Sequence, residues 1–125
     1  MNKKVLIVDD IFSNRLLLGS TLESIGVEYE TVENGQLAIE FIQKGGFSLV
    51  LLDIEMPVMN GIETAQYIRE EMSAEFCDIP IIALTAHNPD DYKNRMQEAG
   101  FNEILSKPYS VEKIEGIINK YSKNI

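Results

Sequence analysis

The sequence predicts an α/β fold in which five parallel strands form a doubly wound sheet with helices on both faces. Five short runs of mainly aliphatic and β-branched residues recur along the chain, at residues 4–8, 27–32, 49–53, 79–84 and 103–106. Each run is followed by a segment in which apolar residues recur at helical spacing. Strands that alternate with helices in this way are typical of parallel sheets.

The pattern within each run indicates its place in the sheet. The first, third and fourth runs are apolar on both strand faces, as expected of strands that helices cover on both sides. The second run alternates between apolar and polar residues and therefore indicates an edge strand with one wetter face. Right-handed crossovers between five such strands commonly produce the flavodoxin-like order 2-1-3-4-5.

Each helical segment has one apolar face, and most have recognisable ends. The first is predicted to end before Gly26 and the second before Gly45, whereas the fourth is predicted to begin at Asn88 and the fifth at Ser110. The residues predicted to face the core are Leu18, Leu22 and Ile25 in the first helix, Leu37, Ala38, Phe41 and Ile42 in the second, Ile62, Ala65, Ile68 and Met72 in the third, Tyr92, Met96 and Ala99 in the fourth, and Val111, Ile114, Ile117, Ile118 and Tyr121 in the fifth.

Length and composition favour one cytoplasmic domain. The 125 residues are enough to bury a core and leave no room for a second domain, so residues 1–125 are expected to form one unit. A net charge of -9 disfavours direct binding of nucleic acid. The single cysteine, Cys77, excludes an intrachain disulfide and favours a reducing compartment. The apolar runs are far shorter than the roughly 20 residues of a membrane span, so membrane insertion is not expected.

Reactive side chains stand at the ends of four of the five runs. Asp9 and Asp10 follow the first, Asp53 ends the third, Thr85 follows the fourth and Lys107 follows the fifth. In the order 2-1-3-4-5 the chain reverses direction between strands one and three, where ligands of such sheets bind. Three neighbouring carboxylates repel one another by roughly 1 kcal/mol per pair at 4 Å in water. The sequence therefore predicts a cation here, and Mg²⁺ with oxygen ligands fits best.

This set of residues is suited to phosphoryl transfer. A carboxylate can attack a phosphoryl donor to form an acyl phosphate. Asp53 is the best candidate because it stands alone at its strand end, whereas Asp9 and Asp10 are paired, as metal ligands often are. Thr85 could donate a hydrogen bond to one phosphoryl oxygen, and Lys107 could neutralise another.

Four motifs together carry a family resemblance: Val-Asp-Asp at 8–10, Leu-Leu-Asp-Ile-Glu-Met-Pro-Val-Met-Asn-Gly at 51–61, Ala-Leu-Thr-Ala at 83–86 and Leu-Ser-Lys-Pro-Tyr at 105–109. In this order, over residues 4 to about 121, they resemble the receiver domain of two-component response regulators. The resemblance implies these roles: Asp53 as phosphoacceptor and metal ligand, Asp10 as direct Mg²⁺ ligand, Asp9 as acidic partner acting directly or through water, the backbone carbonyl of Glu55 as a further ligand, Thr85 as switch hydroxyl and Lys107 as phosphate-binding amine, with a cis Lys107–Pro108 bond.

The resemblance also implies partners and a mode of action. A sensor histidine kinase or a histidine phosphotransfer protein would supply the phosphoryl group from a phosphohistidine. The domain would be a signalling switch that promotes its own aspartyl phosphorylation and dephosphorylation, and it is expected to be monomeric when unphosphorylated. Ile104 stands where many receivers carry an aromatic residue, so the usual coupled movement of threonine and ring cannot operate. This favours a relay role, as in hybrid histidine kinases.

Two further pairs of residues have alternative interpretations. Glu55 and His87 are hypothesised to approach each other at the mouth of the site and to influence dephosphorylation, although two independent exposed side chains would have the same spacing. Asn14 and Arg15 are either partner contacts or part of a solvated helix face.

Two other functions use a similar fold or a similar aspartate. A flavodoxin-like nucleotide-binding module would want a glycine-rich loop after the first strand, where this chain has two acids. A phosphatase of the haloacid dehalogenase type would place a second acid at position 11, which is Ile11, and would usually carry a cap domain. Both are less compatible with the sequence than a receiver.

Overall fold

Five strands and five helices alternate along the chain. The computed structural model describes residues 4–86 and 93–121. In chain order the elements are β1 (Lys4–Val8), α1 (Phe12–Ser24), β2 (Tyr29–Val32), α2 (Gly35–Lys44), β3 (Phe47–Asp53), α3 (Gly61–Glu71), β4 (Ile81–Thr85), α4 (Lys93–Ala99), β5 (Glu103–Ser106) and α5 (Val111–Tyr121). All neighbouring strands are parallel, in the order β2-β1-β3-β4-β5. The predicted fold class and strand order are confirmed.

Four strand boundaries differ from the prediction. The β2 strand begins at Tyr29 instead of residue 27 because the Val27 N–H donates to the Leu22 carbonyl and so closes the end of α1. Similarly, the Ile79 N–H donates to the Phe76 carbonyl in a turn, so β4 runs from Ile81 to Thr85. The β3 strand begins earlier than predicted, at Phe47. At its other end, β4 extends one residue beyond the prediction, so Thr85 is the last residue of the strand and pairs with Ser106 of β5.

The sheet separates two apolar clusters. Alternate residues of β3 point to opposite faces, with Val50 and Leu52 in one cluster and Leu49 and Leu51 in the other. Helices α2, α3 and α4 cover the first cluster, and helices α1 and α5 cover the second. All four of these side chains are fully buried, which explains why the central strands are apolar on both faces.

The predicted helix faces are buried or partly buried where the structure describes them, with one exception. Val111 is 48% exposed, because it is the first residue of α5 and lies at the end of the sheet, whereas Ile114 and Ile118 are buried further along the helix. Ile39, which the prediction omitted, is buried in α2. The predicted start of the fourth helix at Asn88 and its residue Tyr92 lie outside the described residues. No helix within residues 4–86 and 93–121 has the length and apolar character needed to cross a membrane.

The β3–α3 connection is held by a capping box and a close backbone approach. The Asn60 side chain accepts a hydrogen bond from the Glu63 N–H at 2.9 Å, and the Glu63 carboxylate accepts one from the Asn60 N–H at 3.1 Å. A Cβ atom on Gly61 would lie 2.5 Å from the carbonyl oxygen of Asp53, so only glycine fits. These contacts begin α3 at Gly61 and hold the loop that follows Asp53.

Candidate functional site

Three carboxylates meet at the carboxyl edge of the sheet. Asp9, Asp10 and Asp53 each place one carboxylate oxygen within 4.8 Å of the others. Asp9 follows β1 and is fully buried, Asp53 ends β3 and is 3% exposed, and Asp10 is exposed. Because Val8 pairs with Leu52 in the parallel ladder, the residues that follow them lie side by side. The structure therefore brings together the three acids that the sequence placed at two separate strand ends.

Lys107 reaches two of these carboxylates from the loop after β5. Its Nζ lies 3.7 Å from Asp9 Oδ2 and 3.7 Å from Asp53 Oδ2. The lysine precedes the cis Lys107–Pro108 bond, which confirms the predicted isomer. One ammonium group thus faces two buried carboxylates, and a third carboxylate lies beside them. The cluster keeps an excess of negative charge that a cation would offset.

Local N–H groups fix one oxygen of each buried carboxylate. Asp9 Oδ1 accepts hydrogen bonds from the Ile11 N–H at 2.9 Å and from Asn14 Nδ2 at 3.5 Å, and Asp53 Oδ1 accepts from the Glu55 N–H at 3.0 Å. Both Oδ2 atoms are left facing Lys107. Among the described residues, Asp9 Oδ2 is buried and accepts no hydrogen bond, and its counter-charge is the Lys107 ammonium at 3.7 Å. Because that single ammonium is shared with Asp53, Asp9 Oδ2 still fits a divalent cation.

The surroundings of Asp53 make its carboxylate unusually basic. Burial raises the pKa of Asp53 to about 6, and the carboxylates of Asp9 and Asp10 act in the same direction. The Glu55 N–H and the Lys107 ammonium lower this pKa but do not cancel the effect of burial. Near neutral pH the group is mainly ionised, yet it is held in a setting that disfavours its charge. Binding of a cation or loss of that charge would relieve the cost.

Thr85 and Ile104 lie on the two strands beyond Asp53. Thr85 is fully buried at the end of β4 and pairs with Ser106. It continues the face of β4 that includes Ala83, and Ile104 pairs with Ala83 and packs against the cluster beneath α2, α3 and α4. Thr85 and Ile104 therefore belong to one face of the sheet, so that Ile104 takes the place on β5 where an aromatic ring was expected.

Asn14 and Arg15 both contact the acidic loop, and their predicted role as partner contacts stays a hypothesis. Asn14 donates to the Asp9 carboxylate, and Arg15 Nη1 donates to the Asp9 carbonyl oxygen at 2.8 Å. Both residues therefore support the acidic loop, which sequence reasoning had not anticipated. Glu55 is exposed next to Asp53. His87 lies outside the described residues, so its predicted approach to Glu55 stays a hypothesis.

Tyr109 is a neighbour of the site that sequence reasoning missed. Its hydroxyl is buried, and burial together with the carboxylates of Asp9 and Asp53 raises the pKa of Tyr109. Tyr109 stands only two residues after Lys107 in the sequence, and this short separation could have indicated that it lies near the site. With Asn14, Leu17, Lys107 and Pro108 it lines a cavity of about 180 Å³ between α1 and the β5–α5 loop.

Exposed apolar side chains border this edge of the sheet. Val58 is 93% exposed at the tip of the β3–α3 loop and has a φ of 69°, a conformation that β-branched residues rarely adopt. We call the following described residues the apolar rim, since they follow β1, β3 and β5 or lie in the first turns of α1: Ile11, Phe12, Leu16, Leu17, Val58 and Val111. Contiguous apolar patches on a protein surface are typical of sites of protein contact.

Comparison with known proteins identifies the family. The model of the response regulator receiver domain matches residues 5–119. The chain belongs to this family of signalling switches. It is 36% identical over 120 residues to the sensor protein GacS of Pseudomonas syringae and 36% identical over 122 residues to the aerobic respiration control sensor protein ArcB of Escherichia coli. These matches cover 95% and 94% of the chain but only 13% and 15% of the two sensor proteins.

Solved structures agree with this assignment. The chemotaxis protein CheY4 of Vibrio cholerae has a TM-score of 0.86 and 31% identity, covering 97% of this chain and 99% of its own. The receiver domain of the sensor histidine kinase PA1611 of Pseudomonas aeruginosa, solved with magnesium in its active-site cleft, has a TM-score of 0.85 and 26% identity, covering 97% and 98%. The receiver domain of Ssk1 of Saccharomyces cerevisiae, solved with the histidine phosphotransfer protein Ypd1, has a TM-score of 0.85 and 31% identity, covering 96% and 88%.

Proposed function

We propose that this receiver domain accepts a phosphoryl group from a phosphohistidine onto Asp53. One observation carries the proposal: a buried carboxylate at the end of β3 faces a lysine ammonium at 3.7 Å, beside two further acids at the edge where β1 and β3 meet. This combination supplies a nucleophile, a counter-charge and metal ligands in one place. In the proposal, the 125 residues act as a single receiver unit.

The reaction can be assigned to named atoms. Asp53 Oδ1 is occupied by the Glu55 N–H, so Oδ2 is the nucleophilic oxygen. A phosphorus–oxygen bond forms at this atom as the phosphorus–nitrogen bond breaks, and the electron pair of that bond returns to the imidazole of the donor. The ammonium of Lys107 neutralises one phosphoryl oxygen, and the hydroxyl of Thr85 donates to another. Positioning and charge neutralisation of this kind are the main requirements of phosphoryl transfer.

The acidic cluster is proposed to hold Mg²⁺. The ligands would be the carboxylates of Asp10 and Asp53, the carbonyl of Glu55, and Asp9 directly or through water. The buried Oδ2 of Asp9, which accepts no hydrogen bond from the described residues and shares one ammonium with Asp53, supports a cation at this place, and the magnesium bound by the related PA1611 receiver agrees with it. A bound Mg²⁺ would neutralise negative charge on the phosphoryl oxygens and on the acids around them.

The proposed output is transfer of the phosphoryl group to a further protein rather than a large conformational change. In this proposal the domain promotes phosphorylation of its own Asp53 and hydrolysis of the resulting acyl phosphate. Glu55 and His87 influence how long the acyl phosphate lasts. Thr85 would act as the switch hydroxyl. Because Ile104 is aliphatic and packs into the core, no aromatic ring at this position would follow Thr85. A relay role in a hybrid kinase is consistent with this, and a monomer is expected before phosphorylation.

The proposed partner is a histidine kinase or a histidine phosphotransfer protein. A donor histidine must reach Asp53 from the carboxyl edge, so the partner has to cover the surface that carries the apolar rim. The Ypd1 complex of the related Ssk1 receiver is consistent with such a partner. Because phosphohistidines of this kind are formed with ATP, we place the reaction in the cytoplasm. Neither the charge of -9 nor the site favours direct contact with nucleic acid.

Phosphorylation by a small donor tests the proposal. The full chain is incubated with acetyl phosphate and Mg²⁺, and the mass of the intact protein is measured. One added phosphoryl group is expected on the native chain and on Asp78→Asn, an exposed aspartate near the opposite edge of the sheet, and none on Asp53→Asn. An unmodified native chain, or equal modification of Asp53→Asn, would contradict the proposal.

A second comparison tests the partner surface. Phe12→Ala, in the apolar rim, is expected to slow transfer from a phosphorylated histidine phosphotransfer protein while leaving phosphorylation by acetyl phosphate unchanged. Tyr67→Ala, which removes an exposed ring from α3, is the matched control. Equal transfer rates for Phe12→Ala and the native chain would remove the apolar rim from the proposal.

A further inference from the structure

We infer that Arg15 is a positioning residue for the metal site, an inference that rests on the proposed function. Arg15 contacts neither the phosphoryl group nor the cation in this proposal. It acts through the peptide that joins Asp9 to Asp10, the two acids of the β1–α1 loop. Its guanidinium reaches back from the first turns of α1 and donates from Nη1 to the Asp9 carbonyl oxygen at 2.8 Å.

This contact fixes the plane of the peptide between the two acids. The Asp9 carbonyl and the Asp10 N–H belong to the same planar unit. Holding the carbonyl therefore sets the direction in which the Cα and side chain of Asp10 leave the loop. Asp10 is exposed, so no surrounding core fixes its carboxylate in place. The hydrogen bond from Arg15 supplies orientation that packing does not.

Asp9 is held at its other polar atoms by separate partners. Its N–H donates to the Val32 carbonyl at 3.2 Å, and its Oδ1 accepts from Ile11 and Asn14. Ile11 is the N-cap residue of α1, and its side chain makes no capping hydrogen bond. Because its N–H donates to Asp9 Oδ1, the Asp9 carboxylate is linked to the start of that helix. With N–H, carbonyl and Oδ1 all occupied, only Oδ2 remains for a cation. Arg15 completes this set.

Because Arg15 is a cation, the direction in which Mg²⁺ affinity changes when its charge is removed tests the inference. A cationic side chain near a Mg²⁺ site weakens binding by repulsion, so removal of its charge alone would tighten binding. Loss of the hydrogen bond acts in the opposite direction because the loop is less ordered before binding. The guanidinium Cζ lies 5.7 Å from the centroid of the exposed Phe12 ring, and the hydrogen bond to the Asp9 carbonyl is the contact that orients it. Positioning predicts weaker binding when Arg15 is replaced by an uncharged side chain.

The experiment measures Mg²⁺ binding to the full chain by isothermal titration calorimetry without any phosphoryl donor. Arg15→Met is expected to bind about threefold to tenfold more weakly than the native protein, because the loss of one hydrogen bond from a charged donor, which alone would cost more than about tenfold, is partly offset by the removal of charge repulsion. Arg15→Lys keeps an ammonium donor on a flexible stem and is expected to restore most of the affinity. Arg95→Met removes an exposed cation from α4, on the opposite face of the sheet, and is the matched control.

A spectroscopic readout reports the contact itself. The backbone ¹⁵N resonance of Asp10 belongs to the peptide whose carbonyl Arg15 binds, so it is expected to move in Arg15→Met and to stay in place in Arg95→Met before Mg²⁺ is added. If circular dichroism shows that Arg15→Met is unfolded, Arg15→Ala, which also lacks a side-chain donor, takes its place with the same expectation. Equal or tighter Mg²⁺ binding by the uncharged variant, or an unmoved Asp10 resonance, would overturn the positioning role alone. A native chain that binds no Mg²⁺ would overturn the proposed metal site as well.

Discussion

Replacement of Asp53 by asparagine is expected to stabilise the metal-free domain at neutral pH. Asparagine has nearly the same shape, and its Oδ1 can still accept the hydrogen bond from the Glu55 N–H. The substitution removes a buried negative charge that lies beside two other carboxylates. The residue proposed to carry the chemistry is thus expected to reduce the stability of the fold that holds it.

The size of the effect follows from the pKa of Asp53. Burial raises this pKa from its ordinary value of 3.8 to about 6. At about 1.4 kcal/mol for each pKa unit, the ionised carboxylate costs the folded state about 3 kcal/mol relative to the unfolded chain. This is an upper limit, because the exposed loop beside it can relax. An increase of about 1 to 3 kcal/mol in the free energy of unfolding is therefore expected for Asp53→Asn.

The pH dependence has a definite sign. The folded state holds the Asp53 proton more tightly than the unfolded chain, because the pKa is raised on folding. The native chain therefore loses this contribution to stability as the pH rises from about 4 through about 6. Asp53→Asn has no such group. The increase in the free energy of unfolding of Asp53→Asn over the native chain should be full above about pH 7 and should largely disappear near pH 4.

Urea unfolding, followed by far-ultraviolet circular dichroism in EDTA at pH 7.5, pH 6 and pH 4.5, measures this difference. Glu40→Gln removes an exposed charge from α2 and controls for the change in net charge. Addition of Mg²⁺ should raise the stability of the native chain more than that of Asp53→Asn and so narrow the gap. The reasoning would be refuted if Asp53→Asn were no more stable than the native chain at pH 7.5. It would also be refuted if the difference in free energy of unfolding between the two proteins did not depend on pH.

Four further substitutions have expected effects that urea unfolding can check. Lys107→Met should lower the free energy of unfolding by about 2 kcal/mol, less than for a fully buried pair, because two carboxylates lose their ammonium partner; no change would mean that the pairs at 3.7 Å are screened. Val58→Asn should raise it by about 1 kcal/mol, since asparagine tolerates the positive φ better than valine; a loss of stability would contradict the strain. Gly61→Ala should cost about 2 kcal/mol because its Cβ would meet the Asp53 carbonyl, whereas Gly116→Ala, with open space around it, should stabilise α5 by about 0.5 to 1 kcal/mol. Similar results for the two alanines would contradict the close approach at Gly61.

Some features escaped sequence reasoning although a signal was present. Asn34 and Asn60, each followed by glycine, are the N-caps that begin α2 and α3. The Glu63 that completes the capping box stands three residues after Asn60, which is the usual signature of that motif. Asparagine before glycine favours turns and helix starts alike, so the pair alone does not predict a cap.

Other features have no local signal. Val27 belongs to an apolar run, yet its N–H completes the end of α1, so β2 begins at Tyr29. Arg15 is an ordinary polar residue of α1 in the sequence, and only the fold turns its guanidinium back to the Asp9 carbonyl. Tyr109 likewise acquires its buried hydroxyl from the packing of the β5–α5 loop.

The sequence by itself determined the sheet, its strand order and the candidates for the site. Hydrophobic periodicity is set by which faces of each element are buried, and the strand-end positions of Asp9, Asp53, Thr85 and Lys107 follow from it. Only the tertiary structure decided how these groups meet: which carboxylate oxygens accept hydrogen bonds, which ones face Lys107, and which side chains hold the loop. Those contacts depend on distances of a few ångströms between residues far apart in the chain, and residue patterns contain no such distances.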